Sequence, residues 1–79
     1  MNAAPLPRIA RDKINRRIAD GLPADGPYAY IGADMNGDGH RIDVRNADHE
    51  QIAYFGTWAG LAVAADLAAE RGATFIIVD

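Results

Sequence analysis

The chain has 79 residues, a net charge of −3 at pH 7, and neither cysteine nor serine. The absence of cysteine excludes disulfides, thiolate metal sites and thiol catalysis, and the absence of serine removes the commonest hydroxyl nucleophile. A chain of this length holds one small core, so we expect a single domain over 1–79, with 1–7 as an extended lead-in.

The charge is divided unevenly along the chain. Residues 1–20 carry five basic and two acidic side chains, whereas 21–79 carry three basic and nine acidic ones. The longest mainly apolar stretch, 58–69, contains Asp66 and is shorter than the ~20 residues that span a bilayer. Because the first twenty residues also lack an apolar segment of signal-peptide length, we expect a cytoplasmic protein that does not enter a membrane.

The first predicted element is a basic amphipathic helix. Apolar residues recur at four-residue spacing from Ala10 to Leu22, which indicates one buried stripe on a helix that begins near Arg8. Gly21 and Pro23 end this helix, because glycine favours the helix terminus and proline cannot continue it.

The next two elements are the strands of a hairpin. Tyr28–Met35 has the aromatic content of a strand, and 36–39 reads Asn-Gly-Asp-Gly, a strong reversal signal. His40–Arg45 alternates in polarity, which places Ile42 and Val44 on one face and charged residues on the other. We therefore expect a hairpin with one buried and one solvated face.

The segment 46–71 is compatible with two predictions. In the one that we favour, Asp48 caps a long helix whose apolar stripe runs through 54–69. In the alternative, a further strand at 51–56 precedes a shorter helix. The continuity of the helical stripe across two glycines favours the long helix.

The predicted fold class is α+β, in the order α-β-β-α-β. Residues 73–78 form an apolar run without alternation, which predicts a central strand that is buried on both faces. A right-handed crossover places this last strand beside the first strand and parallel to the second. We therefore expect a mainly antiparallel three-stranded sheet in the order 2-1-3, with 51–56 as an optional fourth strand and both helices packed on one face.

One string resembles a calcium loop. Asp34, Asn36 and Asp38, followed by Gly39, place oxygen ligands at alternate positions, as in the EF-hand and related loops. The similarity ends after six residues, because Arg45 stands at the twelfth position, where a bidentate glutamate closes the coordination shell. We predict a plain hairpin turn and no metal site, and keep a metal-binding or small catalytic domain at this loop as an alternative.

No other pattern predicts chemistry. His40 and His49 lack a nucleophile and the spacing of a metal pair, so we expect exposed, ordinary histidines. No glycine-rich phosphate loop is present, and the acidic remainder of the chain opposes the basic first helix, so we predict no cofactor and no direct nucleic-acid binding. The aromatic residues suit either an interface or the core, and we favour core or half-core roles for Tyr28, Tyr30, Tyr54 and Trp58.

Carboxylates are concentrated on the predicted hairpin and its exit. We predict that they form a partner-binding surface for an arginine-rich protein surface that nucleic acid normally occupies. The alternative is a solvated edge whose charges prevent pairing with other chains. The predicted partner-binding residues are Asp34, Asp38, Asp43, Asp48 and Glu50.

An acidic, cysteine-free domain of this size without a catalytic constellation resembles the small phage-encoded inhibitors of bacterial defence, the anti-CRISPR proteins among them. The resemblance rests on overall character and on the acidic segment 34–50, and it transfers no residue role. It implies a non-enzymatic protein that binds a CRISPR effector subunit and blocks its DNA-binding surface. We therefore predict a cytoplasmic inhibitor, a monomer or weak dimer, with an oligomeric structural subunit as the other alternative.

Overall fold

The computed structural model describes residues 6–33 and 39–78, and within these residues five strands form one sheet with two helices. The elements are β1 (Arg8–Ile9), α1 (Arg11–Ala19), β2 (Tyr28–Ala33), β3 (His40–Arg45), β4 (Gln51–Thr57), α2 (Leu61–Glu70) and β5 (Phe75–Val78). The strand order is β1-β5-β2-β3-β4, with β1, β5 and β2 parallel and β3 antiparallel to both neighbours. The predicted three-stranded, mainly antiparallel sheet is therefore wrong, and the sheet is mixed.

Residues 51–57 form a strand and not the first half of a long helix. Within β4, Ala53 and Phe55 pack against the core, whereas Tyr54 between them is exposed. This two-residue alternation is typical of a strand with one covered face, and each glycine in a helix would have cost about 1 kcal/mol relative to alanine. Asp48, which we predicted as a helix cap, lies in the turn between β3 and β4.

The first helix also begins later than predicted. Residues 8–9 pair with β5, and the Ile76 N–H donates to the carbonyl of Pro7 at 2.9 Å, so α1 starts only at Arg11. A two-residue strand is too short to produce a periodic signal in the sequence. No helix in ranges 6–33 and 39–78 has the length and apolar character needed to cross a membrane.

The two helices lie on opposite faces of the sheet, which corrects the prediction that they share one. Ala64 and Ala68 of α2 pack in a core with Ala29, whereas Ile14 of α1 packs with Tyr28. Successive strand residues such as 28 and 29 point to opposite faces. The connection from β1 to β2 contains α1, and the connection from β4 to β5 contains α2. The two connections run in opposite directions across the sheet, so if both are right-handed their helices must lie on opposite faces.

The antiparallel pairing of the hairpin and the central position of the last strand agree with the sequence. The expected solvated face of the hairpin is only partly solvated, because Tyr28 on that face is buried with Ile14 of α1. β2 and β3 pair antiparallel from Tyr28 opposite Arg45 to Ala33 opposite His40, and both Ile42 and Val44 are fully buried. β5 lies between β1 and β2 and is buried on both faces. With β4 included, β5 runs parallel to β2 and not to β3 as we had predicted.

Candidate functional site

The outer edge of the sheet at β4 meets no further strand in the described part of the chain. Its seven residues include no charge and no proline. The opposite edge, β1, is only two residues long, follows Pro7 and carries Arg8. Short length, proline and charge keep an edge from pairing with other chains, and β4 lacks all three. β4 is therefore the edge at which a strand of another molecule can be added.

The edge exposes apolar side chains together with its backbone. The pairing with β3 shifts between Val44 and Arg45, which makes Ile52 an additional residue on β4, and the pairing is regular from Ala53 to Thr57. The exposed fractions of Ile52 and Tyr54 are 53% and 58%. A bulge is one way of blunting an edge, but here it affects only the start of the strand.

Trp58 follows β4 directly, and 78% of its surface is exposed. Two hydrogen bonds order the backbone that follows Trp58. The Ala59 N–H donates to the Thr57 hydroxyl at 3.1 Å, and His40 Nδ1 donates to the Ala59 carbonyl at 2.9 Å. The turn is thus fixed while its largest side chain faces solvent. Because the backbone of the turn is already ordered, binding would have to order only the tryptophan side chain, and tryptophan is among the residue types most enriched at the energetic centres of interfaces.

Two of the predicted partner-binding residues lie at the start of β4. The Asn46 side-chain oxygen accepts from the N–H groups of Asp48 and Glu50, both at 3.0 Å, which orders the turn. Both carboxylate side chains are exposed. His49 between them has a φ of 67°, a left-handed conformation that few residues other than glycine adopt. The edge strand thus begins directly after an ordered turn, residues 46–50, that carries two negative charges and is called the acidic turn below.

The other predicted carboxylates are not part of this acidic turn. Asp43 lies within β3 and accepts from Arg45 Nε at 3.0 Å and from the Gln51 side chain at 2.8 Å, so its charge is compensated internally. Asp34 and Asp38 lie outside the described residues. The acidic residues that the structure describes therefore do not form one cluster.

A groove of about 410 Å³ lies beside α1, on the face that this helix only partly covers. The core under α1 contains residues of β2 and β5 but none of β3 or β4 among the described residues. Three guanidinium groups and one carboxylate line the groove, those of Arg11, Arg41, Arg45 and Asp43. Arg45 is paired with Asp43, so Arg41 supplies positive charge to the groove that no described carboxylate compensates.

The residues beneath the groove lie on three neighbouring strands, β2, β3 and β4, and are paired in two rows. Tyr30 and Tyr54 flank Asp43 in register, and in the next row Gly32 and Gly56 flank Arg41. Arg41 is exposed and makes no hydrogen bond or ion pair within the described residues. A Cβ atom built at Gly56 would meet only the His40 carbonyl oxygen, at 3.8 Å, so the space beside Arg41 is open.

Both histidines are structural, which the sequence did not predict. His49 Nε2 lies 2.7 Å from the Leu22 carbonyl and must donate to it, so Nδ1 accepts from the Tyr28 hydroxyl at 2.8 Å. Burial, the largest cause, raises the pKa of Tyr28 to about 12, with a smaller contribution from Tyr30. His40 supports the Trp58 turn, as described above. Neither imidazole is arranged as a catalytic base.

The sequence did not predict two residues of this candidate site, Trp58 and Arg41. We expected Trp58 to be at least half-buried, because the long-helix prediction placed it on an apolar stripe. Arg41 was expected only as part of the solvated hairpin face. The glycines at 32 and 56 were the available signal, because in the observed register they leave the arginine without flanking side chains.

No three histidine, aspartate or glutamate side chains within 6–33 and 39–78 form a group that could hold a metal ion. The alternative calcium loop depends on Asp34, Asn36 and Asp38, which lie outside those ranges. Comparison of the chain with protein-family models, curated proteins and solved structures found no match. What the β4 edge and the groove bind is therefore inferred from their own chemistry.

Proposed function

We propose that this protein is a non-enzymatic inhibitor that binds a cytoplasmic protein partner along β4. In this proposal an extended segment of the partner pairs with the outer side of the strand. Apolar side chains of the partner pack on Trp58 and Ile52, and basic side chains meet Asp48 and Glu50. The observation that carries the proposal is an uncharged seven-residue edge strand that leads into an ordered turn with an exposed tryptophan.

The three features contribute to binding in different ways. Main-chain hydrogen bonds of an added strand supply affinity without much sequence preference, and side-chain contacts on alternate residues supply specificity. Truncation of a tryptophan at the energetic centre of an interface costs about 2 kcal/mol or more. The two carboxylates act mainly on the association rate and on the choice of a basic partner.

This surface is smaller than the one predicted from the sequence. Asp48 and Glu50 remain proposed contact residues, whereas the internal hydrogen bonds of Asp43 argue against its use by a partner. The roles of Asp34 and Asp38 stay predictions. The resemblance to anti-CRISPR proteins makes purified CRISPR effector subunits the first partners to test.

The decisive experiment compares two substitutions of exposed apolar residues. Trp58→Ala should weaken binding of a purified partner at least tenfold, because it removes the proposed anchor. Val63→Ala is the matched control, since Val63 is 47% exposed but lies on α2. We expect the control to change affinity less than twofold in calorimetric titration. Equal affinities of Trp58→Ala and the unmodified protein would refute the proposal.

A charge experiment tests the acidic turn separately. Asp48→Asn combined with Glu50→Gln should slow association and reduce its salt dependence, whereas Asp66→Asn combined with Glu70→Gln removes two exposed charges of α2 and should do neither. Sedimentation at several concentrations addresses the alternative occupant of the edge. Self-association that Trp58→Ala abolishes would replace the foreign partner with a second copy of this chain.

A further inference from the structure

We propose that the groove beside α1 binds a nucleotide, with the phosphate on Arg41 and the base stacked on Tyr54. This site is separate from the partner surface proposed above and does not depend on it. It lies on the α1 face of β3 and β4, whereas the proposed partner pairs with the outer side of β4. The proposal covers both a free nucleotide and a nucleotide within a single strand, because both present the same phosphate and base.

The charge of the groove favours an anion. Arg45 is committed to Asp43 and to the His49 carbonyl, at 3.0 Å each, so that pair contributes little net charge. Among residues 6–33 and 39–78, Arg41 makes no hydrogen bond or ion pair, so its N–H donors are available to a ligand. A guanidinium group presents paired donors that match two oxygens of a phosphate, and such charge-assisted bonds are stronger than neutral ones.

The shape beside Arg41 favours a flat ring. Tyr54 stands diagonally from Arg41 across two paired strands, a separation of roughly 7–8 Å. Its ring is more than half exposed, and Gly56 leaves the neighbouring position on β4 without a side chain. Every nucleobase can stack on a tyrosine ring, and this contact tolerates different bases. The arrangement therefore offers a phosphate contact and a stacking surface within the length of one nucleotide.

This inference differs from the expectation drawn from the sequence. The absence of a glycine-rich phosphate loop still argues against the P-loop and dinucleotide types of site. The acidic total charge does not exclude the proposed site, because the carboxylate that lines the groove is paired with Arg45 and the guanidinium group of Arg41 is exposed. Local charge and register, neither of which is visible in the composition, support it.

The test is a set of NMR titrations of the complete chain. Adenosine 5′-monophosphate should shift the amide signals of Arg41, Tyr54 and Gly56, and should bind at least fivefold more tightly than either adenosine or ribose 5-phosphate. A twelve-nucleotide single strand distinguishes the sources: tighter binding per site than the mononucleotide would indicate a single strand, and equal binding a free nucleotide. No shift with either probe, or equal binding of adenosine and the monophosphate, would overturn the proposal.

Three substitutions make the result specific. Arg41→Gln should weaken binding at least tenfold, whereas Arg16→Gln removes the same charge from an exposed position of α1 and should leave binding within twofold. Gly56→Leu fills the space beside Arg41 and should also abolish binding. Its melting temperature provides the folding control, because the new Cβ atom has only an ordinary contact in the protein. Unchanged affinity of a folded Gly56→Leu variant for the mononucleotide would overturn the proposed site. Binding of a glutamate-rich peptide as tight as that of the mononucleotide would do the same.

Discussion

At the level of single residues, the best-defined polar contact joins three parts of the chain. The Tyr28 hydroxyl donates to His49, which in turn donates to the Leu22 carbonyl, so the loop after α1, the central strand β2 and the acidic turn are connected. The Tyr28 ring is fully buried and stacks on Phe75 with the ring centres 5.6 Å apart. The phenol is therefore held neutral in an apolar setting, with one compensating acceptor.

The first prediction concerns stability at high pH. An unfolded tyrosine has a pKa near 10, and burial raises that of Tyr28 to about 12 in the folded protein. The stabilisation of the neutral phenol is therefore complete below pH 10 and is lost as the pH rises towards 12. Over this range the free energy of unfolding should fall by about 2 to 3 kcal/mol.

Urea denaturation at several pH values measures this dependence. Tyr28→Phe is the control, since it keeps the buried ring and removes the titrating hydroxyl. The variant should lose much less stability between pH 10 and 12 than the unmodified protein. The same fall in both proteins would show that Tyr28 is not its cause.

At the level of elements, the pairing of β3 with β4 depends on close contact at one end. Gly39 is buried just before β3, and a Cβ atom there would overlap the carbonyl oxygen of Thr57 at the end of β4. Gly56 lies one residue before Thr57 on β4, and a Cβ atom built on it would have no close contact. The two glycines therefore serve different purposes, one allowing backbone approach and the other leaving a gap.

The second prediction follows from this difference. Gly39→Ala should lower the free energy of unfolding by about 2 to 3 kcal/mol, because the overlap involves backbone that cannot move freely. Gly56→Ala should be neutral or stabilise the protein by about 0.5 to 1 kcal/mol, because alanine restricts the unfolded chain more than glycine. Thermal denaturation of both variants measures the contrast. Similar melting temperatures of the Gly39→Ala and Gly56→Ala variants would contradict the observed pairing of β3 with β4.

The elements differ in how far the sequence could predict them. The hairpin of β2 and β3 was predictable, because a strand rich in aromatic residues and a strand that alternates in polarity flank a strong turn signal. β4 was not, because Tyr54, Phe55 and Trp58 also fall on one side of a helix. Only pairing with β3, a contact between distant residues, decides between the two periodicities. The same error hid the β4 edge and the Trp58 turn, so the acidic residues dominated the predicted site.

At the level of the whole molecule, the missing strand determined the rest of the topology. Adding β4 reverses the direction of the chain once more, which makes β5 parallel to β2 and sends the second crossover back across the sheet. The helices then take opposite faces, and the core beneath α1 includes residues of β2 and β5 but, among the described residues, none of β3 or β4. A small domain buries a limited share of its surface, and here the α1 face of β3 and β4 is left uncovered. The proposed partner edge and the nucleotide groove are both consequences of that layout.

Amide hydrogen exchange along β4 tests whether this strand is an open edge at which a partner binds. In the free protein, amides that point towards β3 should exchange slowly and those that point outwards should exchange rapidly, giving alternation from Ala53 to Thr57. Binding of the partner should slow the outward amides. Uniformly slow exchange in the free protein, or outward amides that stay fast in the complex, would contradict the proposal.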